Sequence, residues 1–304
     1  MEKNNQLPKI AIASYGPHAS LDDTIRGIVD GLQQHGLQDS RDIKFDKMDV
    51  NFDQNMIMQV LTRLRARQPD VFVTLSTPVS QAAKKAIIDV PILFVNVTDP
   101  EAANLVHQGE YSSGNITGLS DRQNLAAFLD FVTSIMPEAK KIGMLYSTSE
   151  VNDISLLDMM KEAAKVYDME VIAVPIDSQR DIPLRMQRFS SDPVDLIYVG
   201  TSGYIQPSLP AIVAQADRLK IPVFNADENA VKENLVVASF GVSHYKIGLA
   251  ASNIIVQLLD GVNPASIPII YPQLSDHVCF INKKKAAAFN IKIPENLDNV
   301  TVVD

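Results

Sequence analysis

The sequence predicts an α/β protein of two doubly wound lobes with parallel sheets, and three observations carry that prediction. Residues 70–99 (DVFVTLSTPVSQAAKKAIIDVPILFVNVTD) read as an apolar strand, a helix opened by Pro78 and a second apolar strand. Short runs rich in Val, Ile and Phe that are joined by a helix imply parallel pairing, because a parallel pair needs a crossover. Residues 195–228 repeat the plan: an apolar strand (DLIYVG), a Thr-Ser loop, a helix, and an apolar-Pro pair that runs into the acidic stretch 225–228. Finally, 304 residues, 46% of them hydrophobic and 21% charged, suffice for more than one core.

The elements follow in order. Residues 10–14 (IAIAS) form a first buried strand, and Ile25, Ile28, Val29 and Leu32 mark one apolar face of a helix that starts near Leu21 and stops at Gly36. Residues 43–50 mix Ile43, Phe45 and Met48 with charges, as an edge strand does. A helix spans 53–68 and ends before Pro69. After the 70–99 unit the pattern blurs through Gly109 and Gly114, and a short strand over 115–120 leads out of the first lobe. A helix over 123–136, a strand over 141–146, a helix over 154–167, a strand over 169–176 and a helix over 183–189 restart the alternation before the second copy at 195–228. Beyond it lie a strand (235–241), a long helix (243–259) closed by Gly261, strands at 267–271 and 277–281, and a helix at 283–289. These last elements are too few for a third domain, so they complete the first two, and the chain crosses between lobes more than once.

Composition excludes several classes of function. The net charge is −9 and the longest basic run is Lys283-Lys284-Lys285, which argues against a nucleic-acid partner. A single cysteine, Cys279, rules out an internal disulfide and a thiolate metal site and reads as a buried structural thiol. The start MEKNNQLPKI has neither a signal-peptide core nor a spanning segment, so a soluble chain is expected; a secreted protein in mature or trimmed form has the same appearance. Catalytic signatures are missing: there is no G-x-G-x-x-G, Walker A loop or G-x-S-x-G elbow, and His18, His35, His107, His244 and His277 have no metal-ligand spacing. No enzyme, cofactor or metal is therefore expected. Asn96, Asn115 and Asn299 each open an N-x-T triplet, a pattern common by chance.

Parallel sheets bind ligands beyond the carboxyl ends of their strands. The polar residues there are Tyr15 and His18, Ser76 and Thr77, Thr98 and Asp99 in the first lobe. In the second lobe they are Tyr146 and Ser147, Thr201, Ser202 and Tyr204, and Asp227 with Glu228. Thr77-Pro78 is the most specific pair: Thr at the cap and Pro at the first helical position expose N–H groups at a positive helix end, which favours a carboxylate or phosphate. Ser76 and Thr77 can equally cap their own helix. Asp99, Asp227 and Glu228 suit either a ligand ammonium or helix capping, the tyrosines either stacking on the ligand or core packing, and His18 either ligand contact or a solvated loop.

Several stretches together resemble one family: DDTIRGIVDGLQQHG, VTLSTPVSQAA, VPILFVNVTDPEAANLV, GNITGLSD, SFGVSHYKIGLAA and VCFINKKKAAAFNIKIP. They are similar, in order and over nearly the whole chain, to the substrate-binding proteins of ABC transporters, in the branch linked to aromatic amino acids. The resemblance implies a type I periplasmic-binding fold with lobes 9–118 plus 243–272 and 119–242 plus 273–304, and three hinge crossings near 118–120, 240–242 and 271–276. It implies a monomeric extracytoplasmic receptor, free in the periplasm or lipid-anchored, that traps one amino acid or related small carboxylate by lobe closure and delivers it to an ABC permease. The alternative is a ligand-sensing domain that reports to a membrane receptor or regulator. One departure stands out: relatives commonly carry Asp-Asn after the strand matched by 195–200, where this chain has Thr201-Ser202-Gly203. Either Asp227 or Glu228 supplies the acid an α-amino acid needs, or the ligand lacks an amine or is held by neutral hydrogen bonds.

Overall fold

Apolar runs become strands where helices cover both faces of the sheet. The computed structural model describes residues 7–107, 114–297 and 299–304; part of the N-terminal stretch read above, and Gly109, lie outside the described residues. The chain divides into two compact units, one running to Asp121 and resuming over His244–Tyr271, the other Arg122–Ser243 with Pro272–Asp304.

In the first unit β1 (Lys9–Ser14), β2 (Lys44–Asp49), β3 (Val71–Leu75), β4 (Ile92–Val97) and β5 (Ile116–Ser120) pair in the order β2-β1-β3-β4-β5, all parallel. β3, β4 and β5 are buried at every position, whereas β2 alternates and lies at the edge, as its mixture of charged and apolar residues predicts. Helices Ala19–Gln34, Ile57–Arg65, Thr77–Ala86 and His244–Leu259 flank the sheet. The first and last of these meet through small residues. A Cβ on Gly27 would stand 2.2 Å from the Tyr245 carbonyl oxygen, and one on Gly248 2.1 Å from that of Thr24.

In the second unit β6 (Lys141–Ser147), β7 (Glu170–Ile176), β8 (Leu196–Val199), β9 (Val223–Asn225), β10 (Ala238–Val242), β11 (His277–Asn282) and β12 (Val300–Val303) order as β12-β11-β10-β9-β8-β6-β7. The β10–β11 pair alone is antiparallel. Helices Leu125–Ile135 and Val151–Val166 lie over one core, which includes Phe128, Phe131, Tyr198 and Phe224; Leu209–Leu219 packs into the other with Phe189 and Ile197.

Four elements depart from the sequence reading. The helix expected over 183–189 is two single turns, Ile182–Arg185 and Arg188–Ser191. The strand expected at 267–271 is only a bridge between Leu119 and Ile270, because Pro268 and Pro272 bracket it and supply no N–H. Helix Glu228–Lys232 and β12 were not foreseen: the helix is a single capped turn, and β12 is a half-exposed edge with little apolar contrast.

Candidate functional site

Each unit presents a polar carboxyl edge. In the first, Tyr15 follows β1 with its carbonyl accepting from Phe52 N–H (2.8 Å) and its ring edge-on to Phe52 at 5.9 Å between centroids. His18 is the N-cap of helix Ala19–Gln34: its Nδ1 lies 2.7 Å from Ser20 Oγ and accepts from Ser20 N–H at 3.3 Å, which places the imidazole hydrogen on Nε2.

The helix start after β3 differs from expectation in one respect. Ser76, not Thr77, is the N-cap; Thr77 is buried in the first helical position and Pro78 follows it. Ser76 has φ 83° and ψ 154°, a backbone region that almost only glycine occupies at ease, and its hydroxyl makes no capping bond. The capping role left open by the sequence is thus not taken up by Ser76, while the N–H groups of Thr77 and Val79 have no acceptor within the helix, as at any helix start. The strained residue thus stands at a helix N-terminus on the carboxyl edge of a parallel sheet. Ser76→Gly is expected to raise the stability of the unit by about 1 kcal/mol in chemical denaturation, by relieving that strain.

Thr98 is buried, and its side chain bonds the Asp121 carboxyl, while its carbonyl accepts from Ser120 Oγ at 3.2 Å. Burial raises the pKa of Asp121, with His244 and Thr98 opposing the shift. Asp99 Oδ1 accepts from Ala102 N–H (3.1 Å), which fixes the turn after β4.

In the second unit the Tyr146 ring packs against the core that includes Met144, and the Tyr204 hydroxyl donates to the Asp177 carbonyl (2.9 Å). Ser147 Oγ lies 2.9 Å from Ser149 Oγ. Thr201 is half-buried at the end of β8, and Ser202 beyond it is buried. Asp227 caps helix Glu228–Lys232 by accepting from Asn229 N–H (3.0 Å), and Glu228 pairs with Lys232 at 2.6 Å. That ion pair is largely exposed on the helix surface on the Lys232 side, so Glu228→Ala is expected to shift stability by less than about 0.5 kcal/mol in a denaturation curve.

The acid on this edge comes from a residue that the sequence reading placed only inside a loop. Asp153, at the start of helix Val151–Val166, is buried; its Oδ2 accepts from Ser147 N–H at 2.7 Å and from Ser202 Oγ at 2.8 Å. Asn152 Nδ2 donates to Asp153 Oδ1 (3.1 Å) and to Glu150 Oε2 (3.2 Å). Burial, followed by the neighbouring Glu150 carboxylate, pushes the Asp153 carboxyl up to about 8. Gln206 Nε2 donates to Gly200 O (2.7 Å) and Asn225 Oδ1 (3.0 Å), which completes a buried polar network across β6, β8 and β9. The available signal was Glu150-x-x-Asp153, two acids one helical turn apart just after a strand. Among the described residues no group of His, Cys, Asp and Glu could hold a metal, and no helix is long and apolar enough to cross a membrane.

Two sheets whose carboxyl edges gather strained backbone and buried polar side chains, in units that the chain links three times, define the class of two-lobed periplasmic-type solute-binding folds. The chain belongs to the ABC transporter substrate binding protein family, whose profile matches residues 9–302. It is 31% identical over 298 residues to the tyrosine-binding protein of Clostridioides difficile strain R20291, covering 95% of this chain and 85% of that one. Among solved structures, an ABC domain in complex with L-Trp from Streptococcus pneumonia superposes with TM-score 0.92 at 30% identity, covering 98% of this chain and 100% of that one. A conserved domain protein from Vibrio cholerae O1 biovar eltor reaches TM-score 0.91 at 28% identity, covering 98% and 99%.

Proposed function

We propose that the protein takes up one amino acid, with tyrosine and tryptophan the first candidates, by closure of its two units outside the cytoplasmic membrane, and hands it unaltered to the permease of an ABC transporter. The observation that carries the reading is Ser76, strained at the start of helix Thr77–Ala86 with its hydroxyl making no capping bond, so that the Ser76 and Thr77 hydroxyls receive the ligand carboxylate at the positive helix end. Relatives that bind tyrosine and tryptophan support the choice of ligand. Phe52, half-buried and backed by the fully buried Tyr15 ring, supplies an aromatic wall for the side chain, and Asp99 and Thr201 supply acidic and neutral contacts.

The test is Ser76→Ala combined with Thr77→Ala. Affinity for L-tyrosine or L-tryptophan, whichever the wild type binds, should drop roughly tenfold or more, as expected for losing hydrogen bonds to a charged group, with the circular dichroism spectrum unchanged. Unchanged affinity would remove the helix start from the site.

A further inference from the structure

Two strand ends of the second unit meet at one buried acid. Ser202, in the loop after β8, donates its hydroxyl at 2.8 Å to Asp153, which arrives from beyond β6. The donors that meet Asp153 are the Ser147 N–H, the Ser202 hydroxyl and the Asn152 amide, all neutral, and no Lys or Arg among the described residues pairs with it. A buried carboxyl without a cation is costly when ionised. A second observation points to what is missing. Asn152, 5% exposed, directs its Nδ2 to both Glu150 and Asp153, and its Oδ1 is buried without a donor. Oxygens of two acids thus meet at the Asn152 amide nitrogen, and the amide oxygen, buried without a donor next to a buried acid, calls for an N–H donor.

We propose that Asp153 and Asn152 form the subsite for the ammonium group of the ligand, and that binding transfers the Asp153 carboxyl proton to solvent as the ammonium takes its place. This rests on the reading of the protein as an amino-acid receptor. The ammonium donates to Asp153 and to Asn152 Oδ1; the O–H bond of the carboxyl breaks and the proton leaves to the buffer, so charge balances within the site. Burial first and the Glu150 carboxylate second favour the protonated carboxyl before the ammonium arrives, against the Ser147 N–H and Ser202 hydroxyl bonds, which favour the ionised form. Ser147 on β6 and Ser202 beyond β8 face Asp153 with neutral groups. At the neighbouring strand ends, Asp177 lies 3.7 Å from Arg185 and Asp227 is spent on Asn229, so Glu150 is the titratable group that matters.

Calorimetric titration of the full chain with L-tyrosine and L-tryptophan, and with their amine-free counterparts 3-(4-hydroxyphenyl)propionate and indole-3-propionate, tests this. In two buffers of different ionisation enthalpy, the wild type should release close to one proton per amino acid at about pH 6.5 and less at about pH 8.5. The near-isosteric Asp153→Asn should weaken the amino acid roughly tenfold or more and abolish proton release, leaving the amine-free acid within about twofold. The exchange Asp153→Ser with Ser202→Asp, which swaps the roles of the two side chains, should recover most of that loss. The inference is overturned when Asp153→Asn binds the amino acid as tightly as wild type, or weakens both compounds equally. A wild type that binds neither amino acid overturns the receptor reading itself, and this inference with it.

Discussion

Replacing Gly248 by alanine is expected to cost about 3 kcal/mol and to lower the melting temperature by about 6–12 °C. The reason is backbone, not side chain. The added Cβ would meet the Thr24 carbonyl oxygen at 2.1 Å and the Gly27 Cα at 2.9 Å. No rotamer change relieves a contact with main-chain atoms, so helices Ala19–Gln34 and His244–Leu259 must separate, and with them the cover over β3, β4 and β5. One turn on, Gly31 and Ser252 meet in the same way, with a Cβ on Gly31 reaching 2.2 Å from Ser252 Oγ. There the Ser252 hydroxyl can turn away and only its Cβ, at 2.7 Å, must be displaced, whereas Gly248→Ala meets a carbonyl oxygen at 2.1 Å, so Gly31→Ala should cost less than Gly248→Ala. Differential scanning calorimetry that ranks the two the other way would contradict this account of the helix contact.

The second large effect is a pH dependence. The Asp153 carboxyl is raised to about 8 in the folded protein, by burial first and Glu150 second, while in the unfolded chain it titrates near ~3.9. Between those values the folded state keeps a proton that the unfolded state has lost, so stability falls as pH rises. The contribution is complete below about pH 4, shrinks through neutrality and is exhausted above about pH 8. Asp153→Asn removes the titrating proton while keeping an oxygen for Ser147 N–H and Ser202 Oγ. Its stability relative to wild type should therefore climb from about pH 5 to about pH 9 in urea melts. A difference between the two proteins that stays flat over that range would mean that Asp153 is ionised in the fold.

Much of the architecture was legible in the sequence because it rests on local pattern. Strands β3 and β4 with the helix opened by Thr77-Pro78 carry apolar runs, a proline and a crossover in one 30-residue stretch, residues 70–99, and β2 announced its edge position through Lys44, Asp46 and Lys47. What escaped depends on contacts distant in sequence. Asp153 reads as the last residue of a polar loop after a strand, and only the approach of Ser202, 49 residues later, turns it into a buried partner. Likewise Gly27 and Gly248 are unremarkable singly, and their spacing acquires meaning when two helices from opposite ends of the first unit touch. Glu228, one of the expected substitutes, pairs with a neighbour the pattern did contain, Lys232 one helical turn on.

Ser76 illustrates a partial success. Sequence logic places a cap and an exposed helix start at 76–78, yet it cannot see a serine held at φ 83° with its hydroxyl uncommitted to the helix. Such strain persists only when the surrounding sheet over-determines it, here through Ser76 N–H donating to Val95 O at 3.1 Å and Ser80 bonding back to Ser76 O at 2.8 Å. Ser76→Gly then separates the two roles: it relieves the backbone and removes the hydroxyl, so stability and affinity should move in opposite directions.

The receptor reading is tested most directly by titrating the purified protein with L-tyrosine and L-tryptophan in a calorimeter, with a thermal-shift series over the other amino acids and small carboxylates. Saturable one-to-one binding of an aromatic amino acid, with a melting temperature that rises with ligand concentration, is the expected result. Absence of heat and of any thermal shift across the whole series, from protein whose melting is cooperative, would contradict it.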